Sequence, residues 1–311
     1  MKLVVLGAGG RLGAALVREF RPKYDVVGFD HAQLDLLNLE GLREKVSATT
    51  FDVLINAAAF TNVDACETER DRAFLINAEA PGVLAEICNE KDAKLIHFST
   101  DYVFDGQKHA PYTEEDQANP ISAYGESKLA GEQNVLAAED RHLVVRVSWV
   151  FGPDRPSFVD AMIKRAQQDE KIDAISDKFS TPTYTHDIAE VLARVLDDWS
   201  RRAPGGLGAG RLHGILHFAN AGKCTWQEYA QWALDCCRDA GVFLRGRTVG
   251  ALKLSEMTRL RQGSGGQAPW VARRPVYSVL STAKYTELTG TAPRAWREAV
   301  NDYITRFYSK K

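Results

Sequence analysis

Short apolar runs alternate with stretches of helical period along the first half of the chain. Lys2-Leu3-Val4-Val5-Leu6 is the first run, closed by Gly7. Continuous apolar runs of this length mark strands buried on both faces of a parallel sheet. The runs at 26–29, 51–56, 94–99 and 142–148 repeat the pattern. Between them, Leu12, Leu16, Val17 and Phe20 fall on one helical face, and helical stretches follow at 74–88 and from Tyr124 through Leu136. Regular alternation of this kind predicts an α/β fold, a Rossmann-type doubly wound parallel sheet.

The pattern changes after Pro153. A helix is expected over 158–168, a short strand over 172–175 and an extended loop over 178–183. Thr185 reads as the N-cap of a helix over 188–199, with Asp187 at its positive end and His186 as a packed helix-start histidine. Residues 201–210 read as a glycine-rich surface turn, and 215–218 as a strand. Thr225 and Glu228 form a capping box at the head of a helix over 225–237. Residues 263–266 read as a low-complexity loop, and 293–307 as a closing helix. The expected division is a Rossmann domain of residues 1–153 plus 183–217 and a smaller α/β lobe of 154–182 plus 218–311.

Composition narrows the class of function. A 311-residue chain with 45% hydrophobic and 26% charged residues is built like an ordinary globular protein. A net charge of -2 supplies no general attraction to nucleic acid or acidic membranes, so neither is expected as a partner. No apolar stretch reaches the roughly 20 residues needed to span a bilayer. Five cysteines without metal-ligand spacing read as reduced thiols, and with no leader-like stretch at Met1 they point to the cytoplasm.

Candidate chemistry lies at the ends of the predicted strands. Gly7, Gly10 and Gly13 sit between a strand and a helix, where glycine lets the backbone approach a dinucleotide pyrophosphate. Asp30 ends the second strand, placed to accept from the adenosine ribose hydroxyls. That favours NAD, while Arg11 in the glycine loop is a candidate cation for the 2′-phosphate of NADP, so NADH or NADPH remains open. Ala57, Ala58 and Ala59 follow the third strand and leave room for a cofactor. Thr100 closes the fourth strand with a hydroxyl able to hold a substrate oxygen. Tyr124 and Lys128 share a helix face four residues apart, and the ammonium is expected to lower the phenol's pKa. Alone, such a pair is common on solvated helix faces; the strand-end threonine and the glycine loop lift it above accident. Asn77, inside a helical pattern, and Arg146, inside a strand, read as structural, the arginine paired with a carboxylate.

The set Asn56-Ala57-Ala58-Ala59, Ser99 through Gly106, Ser122-Ala123-Tyr124-Gly125, Arg146 through Val150 and Arg274-Pro275 extends the likeness over nearly the whole chain. It resembles the dTDP-4-dehydrorhamnose reductase family of the extended short-chain dehydrogenases and reductases. The resemblance implies reduction of the C4 ketone of a dTDP-sugar by NADH or NADPH. It implies Tyr124 as general acid, Lys128 as its modulator and nicotinamide-ribose ligand, and Thr100 on the same oxygen. It adds Leu12 to the glycine loop, and Asp35 with Leu36 near the adenine; Asp35 reads equally well as a cap. It implies a sugar pocket of Thr61, Val63, Asp101, Tyr102 and Trp149, with Arg274 on the diphosphate. Trp149 reads equally well as core, and Arg273 as a solvated charge.

Ser157 stands where many relatives carry Asn, which weakens base or diphosphate contacts there. Some members form magnesium-linked dimers through surface carboxylates that find no match here, so no metal is expected, and a homodimer stays possible. A dehydratase needs a carboxylate after the Thr100-Asp101 pair, where this chain has Tyr102. An epimerase shares the tyrosine and lysine but retains its cofactor through turnover. A regulatory Rossmann subunit has no need of the triad.

Overall fold

The computed structural model describes residues 1–138, 141–200, 212–257 and 270–309. Six parallel strands form one sheet, in spatial order Gly214–Phe218, Leu143–Val147, Lys94–Thr100, Val53–Asn56, Lys2–Leu6, Asp25–Phe29. The chain starts in the interior, steps outward to Asp25–Phe29, then crosses back to Val53–Asn56. The order therefore reverses beside Lys2–Leu6, and a crevice opens beyond the carboxyl ends of the strands at such a switch point.

The period of two explains why the central strands carry apolar residues at both odd and even positions. Leu3 and Val5 enter one core layer with Ile96, Phe98 and Val145; Val4 and Leu6 enter the opposite layer with Leu95 and Val144. The helix Arg11–Phe20 packs on the first face beside Thr185–Ser200, and Leu39–Ala48 and Ala80–Glu90 pack together on the other.

A second apolar cluster, apart from the sheet layers, centres on Phe151, Met162, Ile163, Tyr229, Trp296 and Tyr303. Three short strand pairs frame it: Val150–Phe151 with Thr183–Tyr184, Ile172–Ile175 with Val249–Leu252, and Phe179–Ser180 with Cys224–Thr225. The expected extended loop over 178–183 thus contains two strands. Tyr285, assigned by sequence to the second lobe, packs instead against the sheet core. Thr185 is already helical rather than a preceding cap, and Asp187 is tied by Arg294 and Asn220. The glycine-rich stretches at 201–210 and 263–266 lie outside the described residues.

The helical pattern around Asn77 is interrupted by a π-helical turn, Leu75–Glu79. Asn77 Nδ2 donates to Phe60 O and Ser127 Oγ at 3.0 Å each, and its Oδ1 accepts from Phe60 N at 2.8 Å. The side chain fixes the segment after the third strand against the helix of Tyr124. Arg146 makes the expected pair, donating to both oxygens of buried Glu132 at 2.9 and 2.6 Å.

Candidate active site

A cleft of about 820 Å³ opens at the switch point. Gly7, Gly10, Arg11 and Leu12 form one wall, Asp30 and Leu36 another, and Ala57, Ala58, Ala59 and Thr61 the floor. Thr100, Tyr124, Lys128 and Trp149 line it as well. Most of the predicted residues, scattered over 150 positions of sequence, therefore share one cavity.

The glycine loop is close-packed. Gly7 has φ +75, a left-handed conformation that side chains resist, and an added Cβ there would meet Ala58 N at 2.8 Å. Gly13 does not face the cleft but packs under the turn, where a Cβ would fall 2.1 Å from Gly7 O. A dinucleotide fits this cradle: bare backbone opens the helix Arg11–Phe20, with small side chains opposite. Overpacking costs about 1–3 kcal/mol, so Gly13→Ala is expected to weaken NADH binding by about tenfold or more. Calorimetric titration measures it; unaltered affinity would mean the turn tolerates the methyl.

The helix Ala123–Ala138 delivers Tyr124 and Lys128 to the end of the strand carrying Thr100. Lys128 is buried; its Nζ donates to Phe98 O at 2.7 Å and lies 3.2 Å from His97 Nε2. Desolvation lowers its pKa to about 8, with Glu132 opposing. The sequence reading expected Lys128 to draw the Tyr124 pKa down. The structure reverses this: burial raises the phenol above its ordinary value, and a hydrogen bond with Thr100 only partly offsets it. The reason is that both groups are taken from water, and the lysine charge is spent on a backbone carbonyl. Tyr124 is thereby held protonated, the form a general acid must have.

Beneath Thr100 lies a polar network the sequence did not reveal. Asp101 is buried, accepting from Thr100 Oγ1 at 3.1 Å and Ser148 Oγ at 2.9 Å. Burial raises its pKa, opposed most by Lys178. Lys178, also buried, donates to Pro275 O at 2.8 Å, and desolvation lowers its pKa to about 8. Asp101 therefore supports the site from below and does not line the cleft. Tyr102 sits edge-on to Tyr124 at 5.8 Å.

Other predicted residues lie apart. Val63 begins a short helix, Val63–Thr68, beyond the cleft wall. Asp35 Oδ1 accepts from Leu37 N at 3.0 Å and borders a separate groove with Asn38 and Lys45. Arg274 grips Asp64, with Nη2 2.6 Å from Oδ2, and stacks 4.1 Å from the Trp270 ring centre. Trp149 lines the cleft and also packs against Phe158, Trp226 and Tyr229, as its core reading expected. Its φ of 44 is left-handed. Among the described residues, no group of three or more His, Cys, Asp or Glu is placed to hold a metal ion.

The match to a family model described as the RmlD substrate binding domain spans residues 1–309. The chain belongs to this family. A relative from Mycolicibacterium smegmatis, named dTDP-4-dehydrorhamnose reductase, is 37% identical over 97% of this chain and 85% of its own length. A Streptomyces antibioticus protein, named a probable dTDP-4,6-dihydroxy-2-methyloxan-3-one 4-ketoreductase, is 36% identical over 97% and 94%. The crystal structure of dTDP-4-dehydrorhamnose reductase from Bacillus anthracis in complex with NADP superposes with a TM-score of 0.84. It is 30% identical, covering 98% of this chain and 99% of that one. The doubly wound sheet and the dTDP-4-dehydrorhamnose reductase family expected from sequence are thus both found. No helix among the described residues is long and apolar enough to cross a membrane.

Proposed function

We propose that this chain is an NAD(P)H-dependent oxidoreductase that converts dTDP-6-deoxy-L-lyxo-4-hexulose to dTDP-L-rhamnose by reducing its C4 ketone. One observation carries the reading. Thr100, Tyr124 and Lys128 meet in a cleft whose described lining holds a single carboxylate, Asp30, at the end of the second strand. A dehydratase needs a carboxylate base beside the sugar. Asp101 is engaged by Thr100 and Ser148, and Asp64 by Arg274, so neither supplies one.

The reduced nicotinamide supplies the hydride when bound. Tyr124 gives its proton to the C4 oxygen, and its raised pKa keeps that proton in place until charge develops there. Thr100, whose hydroxyl accepts from Tyr102 N, holds the same oxygen by turning to it the proton that it gives Asp101 in the free protein. Lys128, fixed on Phe98 O, offers its remaining protons to the nicotinamide ribose. Trp149 and Thr61, both in the cleft lining, face the sugar in this reading, with Tyr102 edge-on behind Tyr124, while Arg274 stays on Asp64 and keeps that carboxylate engaged. Leu36, in the cleft lining, meets the adenine in this reading. A cytoplasmic location and a homodimer belong to this reading; the five buried, unpaired cysteines suit a reducing compartment.

The test is to generate the dTDP-4-keto sugar in situ and add purified protein with NADH or NADPH. Loss of reduced-coenzyme absorbance is expected, with dTDP-L-rhamnose identified by NMR. No oxidation of either coenzyme would overturn the reading. The likeness to the Streptomyces ketoreductase favours a second dTDP-4-ketosugar as the alternative substrate, and a different reduced sugar in the same assay would select it.

A further inference from the structure

The segment after the strand pair at 150–151 crosses to the glycine loop and is pinned there. Arg18 pairs with Asp154, and Arg11 donates to Arg155 O at 3.2 Å and to Pro156 O at 2.5 Å. Arg11, the cation expected from sequence to serve a 2′-phosphate, has therefore spent its guanidinium on backbone carbonyls. The segment it holds carries another arginine. Arg155 Nε donates to Gly9 O at 2.9 Å, and its side chain lines the cleft. A Cβ built on Gly9 would lie 3.3 Å from Asp30 Cβ and 3.9 Å from Arg155 Nη2, so the carboxylate-bearing and guanidinium-bearing side chains flank one point. Among the described residues Arg155 has no carboxylate partner of its own.

At the end of the second strand of such a fold, an acidic side chain meets the ribose 2′-hydroxyl, and a nearby arginine accommodates a 2′-phosphate. We infer that Arg155 is the residue of this chain that recognises the 2′-phosphate of NADPH, with Asp30 serving the ribose hydroxyls of NADH. A guanidinium offers paired donors to phosphate oxygens. With Nε committed to Gly9 O, the terminal nitrogens remain for this task, and Gly9 leaves the approach free of a side chain. The pair makes the site permissive for both coenzymes, because each side chain answers one form of the ribose. The inference rests on the coenzyme occupying this cleft, as in the function proposed above.

The experiment is calorimetric titration of wild type, Arg155→Ala and Arg155→Lys with NADPH and with NADH. Adenosine 2′,5′-bisphosphate and AMP serve as probes without a nicotinamide. Hydrogen bonds to charged groups are worth about 1.5–3 kcal/mol, which predicts that Arg155→Ala raises the ratio of the NADPH to the NADH Kd by roughly 10- to 100-fold. The bisphosphate-to-AMP ratio moves in the same direction, and Arg155→Lys recovers part of both. Ratios taken on one preparation cancel any inactive fraction. Parallel loss of both coenzymes would reduce Arg155 to a brace for Gly9 and overturn the inference. So would unchanged ratios. If wild type binds NADH and NADPH but the ratio does not move, only this inference fails; if it binds neither, the coenzyme cleft itself is wrong.

Discussion

Tyr124→Phe will cut ketone reduction by about 10²- to 10⁴-fold, the usual worth of a positioned general acid, while leaving coenzyme binding largely intact. The phenol is the proton donor available at the Thr100 end of the cleft: the described lining there carries no carboxylic acid, and the lysine ammonium is tied to Phe98 O. Removing one oxygen should disturb little packing, because the ring keeps its edge-on contact with Tyr102. Single-turnover kinetics with preloaded NADH would report the loss in the chemical step. Turnover equal to wild type would mean that the proton comes from another group, and the mechanism proposed here would fall.

Glu132→Ala is expected to be the most damaging substitution away from the cleft. The Glu132 and Arg146 side chains are 2% and 3% exposed, and the guanidinium also lies over the Phe104 ring. Breaking a buried pair by removing one partner costs about 3–5 kcal/mol, because the remaining charge is left uncompensated. Urea unfolding should show that loss as a fall in midpoint at constant slope. The double variant Glu132→Leu with Arg146→Met tests the cause. It removes both charges at similar volume and should recover much of the stability. A double variant as weak as the single one would assign the loss to packing rather than to the stranded charge.

These expectations differ in how far the sequence alone leads to them. The sheet was legible because its central strands are buried on both faces, which writes an unbroken apolar run such as Leu3 to Leu6. The pairing of Val249–Leu252 with Ile172–Ile175 was not, because Val249-Gly250-Ala251-Leu252 carries little strand signal and is recruited by its partner. Tyr124, Lys128 and Thr100 were legible as residue types at strand and helix ends. The direction of the Tyr124 shift was not, since proximity to a lysine is visible in sequence and desolvation is not. Arg155 carried no motif at all. Its position depends on Arg11 and Arg18 reaching across about 140 residues of chain to hold its backbone.

The left-handed backbone at Trp149 has a consequence for anyone wishing to harden this protein against heat. A non-glycine residue in that region costs about 1–2 kcal/mol, and the surroundings enforce it: Thr183 N donates to Trp149 O at 3.2 Å, and the Thr183 hydroxyl donates to Ser148 O at 2.5 Å. Relieving the turn with glycine would recover backbone strain while stripping an aromatic wall from the cleft. The ring's contacts with Phe158, Trp226 and Tyr229 are worth about 3–5 kcal/mol, more than the strain that glycine would relieve. A search for stabilised variants is therefore expected to leave this position alone, strained as its backbone is.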